Sequence, residues 1–184
     1  MATTAETSRA RTAVLVEGVS DQLALEALAR RRGRNLEAEG VFIVPMGGAT
    51  NIGTFLNRFG PQGLDLKVAG LCDVGEEGEF RRGLERAGLG SNLTRADMER
   101  LGFYVCVADL EDELIRALGV ATVERVIEAQ GELEALRTFQ TNEEQLRRFF
   151  GTHRGRKIQS AALLVDALDL ERVPRPLDAV LAYV

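Results

Sequence analysis

The chain has no tryptophan, only two tyrosines, one histidine, two cysteines and four prolines in 184 residues. With two cysteines a disulfide framework is excluded, and Cys72 and Cys106 each lie inside an apolar run, where a thiol packs as a small buried hydrophobe in a reducing, cytoplasmic setting. A single histidine leaves nothing for a histidine-rich zinc site. No stretch of 18 apolar residues occurs, and the first ten residues lack an apolar signal segment, so neither membrane insertion nor secretion is expected. Lysine is nearly absent: two lysines stand against 21 arginines, so a lysine is a departure from the habit of the chain.

What is present suits one soluble domain. Hydrophobic residues make up 45% and charged residues 28%, and a chain of this length buries roughly 70% of the surface its unfolded form exposes, enough for a core with room for a site. The net charge of −5 argues against a nonspecific nucleic-acid binder, which carries a basic surface to displace counterions. Basic residues are nevertheless clustered, at Arg30, Arg31, Arg32 and Arg34, at Arg81 and Arg82, at Arg147 and Arg148, and at His153, Arg154, Arg156 and Lys157.

Four short apolar runs, Thr12–Val16, Val41–Val44, Leu66–Cys72 and Phe103–Val107, alternate with helical patterns, the signature of an α/β fold with a mostly parallel four-stranded sheet flanked by helices. The spacing predicts a helix capped by Ser20 and stopped at Gly33, then helices over 51–59, 80–87 and 94–101, the last capped by Thr94. Beyond Asp109 the pattern is helical only, over 110–118, 120–128, 142–150, 158–168 and 177–183, with no pattern assigned to the rest of 129–150. This predicts a flexible tail over 1–10 and a single domain over 11–184, with a sheet core to about 118 and a helical extension from about 119 to 184.

The acids fall at strand ends. Glu17 follows the first run and Asp21 comes four residues later. Asp73 follows the third run, with Glu76 and Glu77 behind it, and Asp109, Glu111, Asp112 and Glu113 follow the fourth. In open α/β sheets ligands bind beyond the carboxyl ends of strands, where strand order reverses. Acids after strands also serve as helix caps and dipole partners, and Glu76, Glu77, Glu79 and Asp112 are assigned mainly to solvated faces. Were the strand-end acids to converge, their repulsion would call for a cation, and oxygen donors without histidine or cysteine suit Mg²⁺ or Mn²⁺. After the second run, Gly47 and Gly48 open a helix, so the backbone there can approach a phosphate or form a plain tight turn. No Walker A string occurs. Lys157 in HRGRKI can neutralise charge on a scissile phosphate or stand exposed in a basic patch, and His153 can contact phosphate or shuttle a proton.

Taken together these residues resemble the TOPRIM domain of topoisomerases, primases and OLD-family nucleases, a Rossmann-like fold. VLVEGVSD (Val14–Asp21) is similar to its first motif, and LCDVG (Leu71–Gly75) stands in place of its DxD motif. DLEDEL (Asp109–Leu114), the Gly47–Gly48 turn followed by Asn51 and Ile52, and a lysine near the C-terminus are similar to the OLD branch in particular. The resemblance implies hydrolytic cleavage of DNA phosphodiesters by a site of two metal ions. Glu17, Asp21, Asp73, Asp109, Glu111 and Glu113 would bind metal, Glu17 and Lys157 would be catalytic, and Gly47, Gly48, Arg147, Arg148, His153, Arg154 and Arg156 would hold phosphate or DNA.

Two departures stand out. The second acid of DxD is Gly75, which removes a ligand unless Glu76 or Glu77 replaces it, and the ABC-type ATPase usual in OLD proteins does not precede the strand, which points to a separate ATPase partner or a domain acting alone. The alternative expectation is therefore a catalytically weak module that binds DNA or an ATPase as a regulatory subunit. A homodimer joining two sites across a duplex is a further arrangement left open. A receiver domain expects adjacent acids after the first strand, and a haloacid-type phosphatase an aspartate nucleophile where Glu17 stands.

Overall fold

The structure is a computed structural model and describes residues 10–137, 142–151 and 154–184. Its centre is a parallel sheet of β1 (Thr12–Val16), β2 (Val41–Pro45), β3 (Lys67–Asp73) and β4 (Phe103–Cys106), in the order β2-β1-β3-β4. β1 pairs with β2 on one side and β3 on the other, from Thr12 opposite Val41 and Lys67 to Val16 opposite Pro45 and Leu71. All five of its residues are buried, as a continuous apolar run covered on both faces requires. The chain runs outward from β1 to β2 and then crosses to β3 and β4, so strand order reverses between β1 and β3.

The period of two along the strands sorts side chains into two layers. Val14, Val16, Ala69, Leu71 and Cys106 face one layer with helices α1 (Val19–Arg31), α6 (Leu110–Leu118), α7 (Val120–Ala129), α8 (Leu133–Leu136), α9 (Glu143–Gly151), α10 (Arg154–Asp166) and α11 (Arg175–Tyr183). Ala13, Leu15, Val68, Cys72, Phe103 and Val105 face the other with α3 (Ile52–Phe59), α4 (Glu77–Arg86) and α5 (Arg95–Arg100), while the short α2 (Leu36–Glu39) precedes β2. Gly70 sits where β3 and β4 come closest to the core ring of Phe103: a Cβ there would stand 2.7 Å from that ring and 2.8 Å from the Leu15 carbonyl.

α10 packs on α1 more extensively than any other pair of helices. Alanines at 24, 27 and 161 are buried in that layer and let the helices approach, and Leu28, Leu164, Val165 and Leu168 fill it. The pairing brings the first turn of α10, with Lys157, beside the first turn of α1, with Asp21. Arg31 closes the far end by donating to the carbonyls of Val165 and Leu168 at 2.8 and 2.6 Å, which answers orphan groups at the end of α10.

The four expected strands and the helix over 110–118 are present within a residue or so of their predicted ends. The first helix starts earlier than expected. Gly18 is its N-cap, and the Asp21 carboxylate accepts a hydrogen bond from the Gly18 N–H, so the acid three residues in, rather than the Ser20 hydroxyl, closes the turn. The expected tail lies, but for Ala10, outside the described residues.

Candidate active site at the strand-order switch

Glu17, Gly18, Asp21, Gly47, Gly48, Asp73, Glu111 and Lys157 line one cleft of about 360 Å³ beyond the carboxyl ends of β1 and β3. It lies where the strand order reverses, the place at which open α/β sheets bind ligands. Four carboxylates from three chain segments and one ammonium therefore share a single opening.

Each acid is placed by a local device. The Glu17 carbonyl accepts hydrogen bonds from Gly47 N–H at 3.0 Å and Gly48 N–H at 3.1 Å, so the turn after β2 clamps the backbone beyond β1. Both glycines adopt positive φ, +75° and +130°, which a side chain would strain. Their amides are thus spent on Glu17 rather than offered to a phosphate, and their contribution to the cleft is a wall without side chains. Asp21 spends one oxygen on Gly18 N–H at 2.8 Å. Asp73 ends β3, where it is paired with Cys106 of β4. Glu111, buried on the first turn of α6, accepts from Lys157 Nζ at 2.9 Å. Neither the Glu17 nor the Asp73 carboxylate accepts a hydrogen bond from a described residue.

The electrostatics follow from this crowding. Burial pushes the Asp73 carboxyl up to about 8, and the charges of Asp21, Asp109, Glu17 and Glu111 push the same way. Burial also raises Asp21 to about 6, against the Gly18 hydrogen bond, with Glu111 and Glu17 adding to the rise. Glu17 is raised by burial, then by Glu76 and Glu111, while Lys157 opposes. Burial alone would lower Lys157, yet the charge and hydrogen bond of Glu111, with Asp109 and Asp73 behind, hold it above the ordinary lysine value. The cleft is short of positive charge.

Other expected site residues lie elsewhere or are engaged otherwise. Asp109 stands behind the cleft as N-cap of α6, one oxygen on Asp112 N–H at 2.8 Å and the other on Arg147 at 3.1 Å. Glu113 is turned away, bonded to Val107 N–H at 2.7 Å and to Arg116 at 2.8 Å. Arg148 pairs with Glu144 on an exposed face, and Arg156 holds Glu132 and the Phe149 carbonyl while lying over the Phe149 ring at 3.9 Å. His153 and the side chain of Arg154 lie outside what is described. Glu76 was placed on a solvated face by the sequence, but its charge bears on Glu17. Its position one residue past Gly75 was the only signal available.

Among the described residues no three Asp, Glu, His or Cys side chains already stand together as the ligands of one ion. Cys72 and Cys106 are free and buried, and burial drives both thiols far above their ordinary range. Among the described residues no helix is long and apolar enough to cross a membrane.

Comparison with known proteins bears on the fold that holds this cleft. Residues 10–74 match the family described as "Overcoming lysogenization defect protein-like, TOPRIM domain". The fold is similar to the C-terminal region of the Burkholderia pseudomallei OLD protein, with TM-score 0.75 and 21% identity over 95% of this chain and 96% of that one. It is equally similar to the C-terminal region of the Xanthomonas campestris pv. campestris OLD protein, with TM-score 0.77 and 22% identity over 97% and 94% of the two chains. No curated protein matches by sequence. Residues 10–74 are thus similar to the OLD-like TOPRIM domain, and along nearly its whole length the chain has the fold of the C-terminal region of OLD proteins.

Proposed function

We propose that this chain hydrolyses DNA phosphodiester bonds with the help of Mg²⁺ or Mn²⁺ held at the carboxyl ends of β1 and β3. The observation that carries the reading is the convergence of Glu17, Asp21, Asp73 and Glu111 with Lys157 in one cleft at the strand-order switch. The family is of nuclease type, and TOPRIM domains generally bind divalent metals.

The donor set fits such ions. The carboxylates in the cleft are hard oxygen donors, and neither histidine nor cysteine lines it. Mg²⁺ is usually held by one or two carboxylates, with water and substrate phosphate in the remaining positions, so a preassembled cage of three acids is not required. Glu17 and Asp73, whose carboxylates accept no hydrogen bond from a described residue, are the two we assign to hold metal directly. Asp21 and Glu111, already engaged with Gly18 and Lys157, stand next to them and complete the set for a second ion. A bound divalent ion supplies Lewis acidity and an activated water.

The rest is done by the chain. The Gly47–Gly48 clamp fixes the backbone of Glu17, and the bare wall admits a phosphate without a side-chain clash. Lys157, charged and steadied by Glu111, neutralises negative charge that builds on the phosphate oxygens as the bond breaks.

The test is relaxation and linearisation of supercoiled plasmid by the purified chain in Mg²⁺, Mn²⁺ or EDTA, beside Glu17→Gln and Lys157→Ala. Cleavage that requires metal and is lost in both variants is the expected result. Gly75, in place of a second acid in the turn just past β3, supports a second reading: a module that binds DNA or a separately encoded ATPase as a regulatory subunit. An intact plasmid with retained binding of DNA or ATPase would select it.

A further inference from the structure

Asp109, Glu111, Asp112 and Glu113 crowd the start of α6, yet of these only Glu111 lines the cleft, beside Lys157. Consecutive side chains on a helix point about 100° apart, so turning α6 by one residue about its axis would offer Asp112 in place of Glu111. The rotation of this turn therefore decides what the cleft contains.

Two arginines answer the other three acids. Arg116, on α6 itself, holds Asp112 at 2.7 Å and Glu113 at 2.8 Å, while the second Glu113 oxygen accepts from Val107 N–H at 2.7 Å. Arg147 reaches the turn from another helix. It stands on α9, which buries Leu146, Phe149 and Phe150 in the core, and it donates to Asp109 at 3.1 Å. Its Nε is buried, has no hydrogen-bond partner among the described residues and lies 3.7 Å from the Asp112 carboxylate. The guanidinium is thus caught between two carboxylates, one the N-cap of α6 and one in its first turn, and it does not line the cleft. Glu111 is left to the ammonium: it accepts from Lys157 at 2.9 Å.

We infer that Arg147 is a positioning residue of the cleft and not a contact to DNA: by gripping Asp109 and Asp112 it sets the rotation of α6 at which Glu111 meets Lys157. The effect on catalysis rests on the nuclease reading of the same cleft, whereas the effect on Lys157 does not.

The chain has only two lysines, which makes the placement measurable. Reductive ¹³C-methylation of the full chain labels Lys67, Lys157 and the amino terminus, and the Lys157 resonance is the one missing from Lys157→Ala. Spectra are compared in EDTA for wild type, Glu111→Gln, Arg147→Met, Arg147→Lys and Asp109→Asn. Arg147→Met keeps the length of the side chain and removes its charge and donors. It should move the Lys157 resonance in the same direction as Glu111→Gln and leave that of Lys67, which sits over the Tyr183 ring at the other end of β3, in place. Asp109→Asn, whose amide oxygen still accepts from Asp112 N–H, removes the anchor from the other side and should give the same shift as Arg147→Met. Arg147→Lys keeps a charge and a donor and should restore most of the wild-type position. In plasmid nicking with Mg²⁺, kcat of Arg147→Met should fall by about tenfold or more with KM within about twofold, since a charged group displaced by an ångström is costly at a reacting centre. The salt dependence of DNA binding should keep its wild-type slope, whereas loss of a phosphate contact lowers that slope by about one. Melting curves confirm that each variant is folded at the assay temperature. A Lys157 resonance that stays in place in Arg147→Met and Asp109→Asn, or in Glu111→Gln, overturns the inference. A raised KM and a shallower salt slope at unchanged kcat overturn it in favour of a DNA contact. Wild type that cuts no plasmid with either metal, while the Lys157 resonance moves as expected, overturns the nuclease reading and leaves the positioning of Lys157 standing.

Discussion

The cleft and the arginine belt at the far end of α1 are both dense in charge, and they differ in how that charge is answered. In the belt, Arg31 holds two carbonyls of α10, Arg32 pairs with Asp178 at 2.6 Å, and Arg34 holds Glu39 at 2.5 Å and the Val184 carbonyl at 3.0 Å. Every one of these guanidinium groups ties a helix end or a carboxylate. In the cleft, like charges are pressed together, Glu17 and Asp73 accept no hydrogen bond from a described residue, and acid pKa values climb. Such crowding opposes folding unless a ligand relieves it, and perturbed carboxyls in a cleft mark function more often than scaffolding. Arg30, Arg31, Arg32 and Arg34 form a basic cluster in the sequence, and the partners of the last three are the ends of α10 and α11 and Glu39 of α2.

The sharpest break in this comparison comes from the cleft. Removing Lys157 (Lys157→Ala) or neutralising Glu17 (Glu17→Gln) is expected to lower the plasmid cleavage rate by about 10²–10³-fold, the size of losing one charge-stabilising group in a closed site; Glu17→Gln should leave urea unfolding little changed, whereas Lys157→Ala also leaves the buried Glu111 carboxylate unpaired and should lower stability. In the belt, by contrast, Arg31→Ala and Arg34→Ala each leave carbonyls at a helix end without a donor, and each should destabilise the fold by about 1–3 kcal/mol while Mn²⁺ affinity stays at the wild-type value. Urea unfolding and calorimetry together check this. A belt variant that weakens Mn²⁺ binding without unfolding would erase the distinction between the two regions.

Much of this division was legible in the sequence, and the missing parts have a common cause. Strands showed because a parallel sheet covered on both faces writes short apolar runs, and their ends carry acids that period and composition expose. Glu17, Asp73 and Lys157 stood out because a strand end or a rare lysine marks them locally. Pairing partners did not stand out, since they are set by tertiary contact. Arg147 meets Asp109 across 38 residues, and Arg31 meets Val165 across 134. The same applies to Glu113, which shares a helix turn with Asp109 and Glu111 but is rotated onto Val107 N–H and Arg116. The Gly47–Gly48 turn was legible as a turn, whereas its use as a clamp on the Glu17 carbonyl depends on β1 lying beside β2.

The smallest expected effect bears on why the cleft's charges stay unanswered. The folded state keeps a proton on Asp73 up to about pH 8, whereas the unfolded chain releases it near pH 4, so between these values the native state binds more protons and stability falls as pH rises. Asp21, raised to about 6, adds to the fall over the lower half of that window. Asp73→Asn removes the larger part of this slope. In EDTA the variant should match wild type near pH 4 and exceed it by roughly 1–2 kcal/mol at pH 8, less than the full shift implies because water still reaches the carboxylate. Saturating Mg²⁺ should reverse the order, since an ion at about 100 times its dissociation constant adds roughly 2.7 kcal/mol to wild type and nothing comparable to a variant that has lost its ligand. Urea unfolding at three pH values, with EDTA and then with Mg²⁺, measures both halves. If wild type and Asp73→Asn keep the same pH profile in EDTA, the carboxylates at the switch are neutralised from within, and the contrast between cleft and belt disappears.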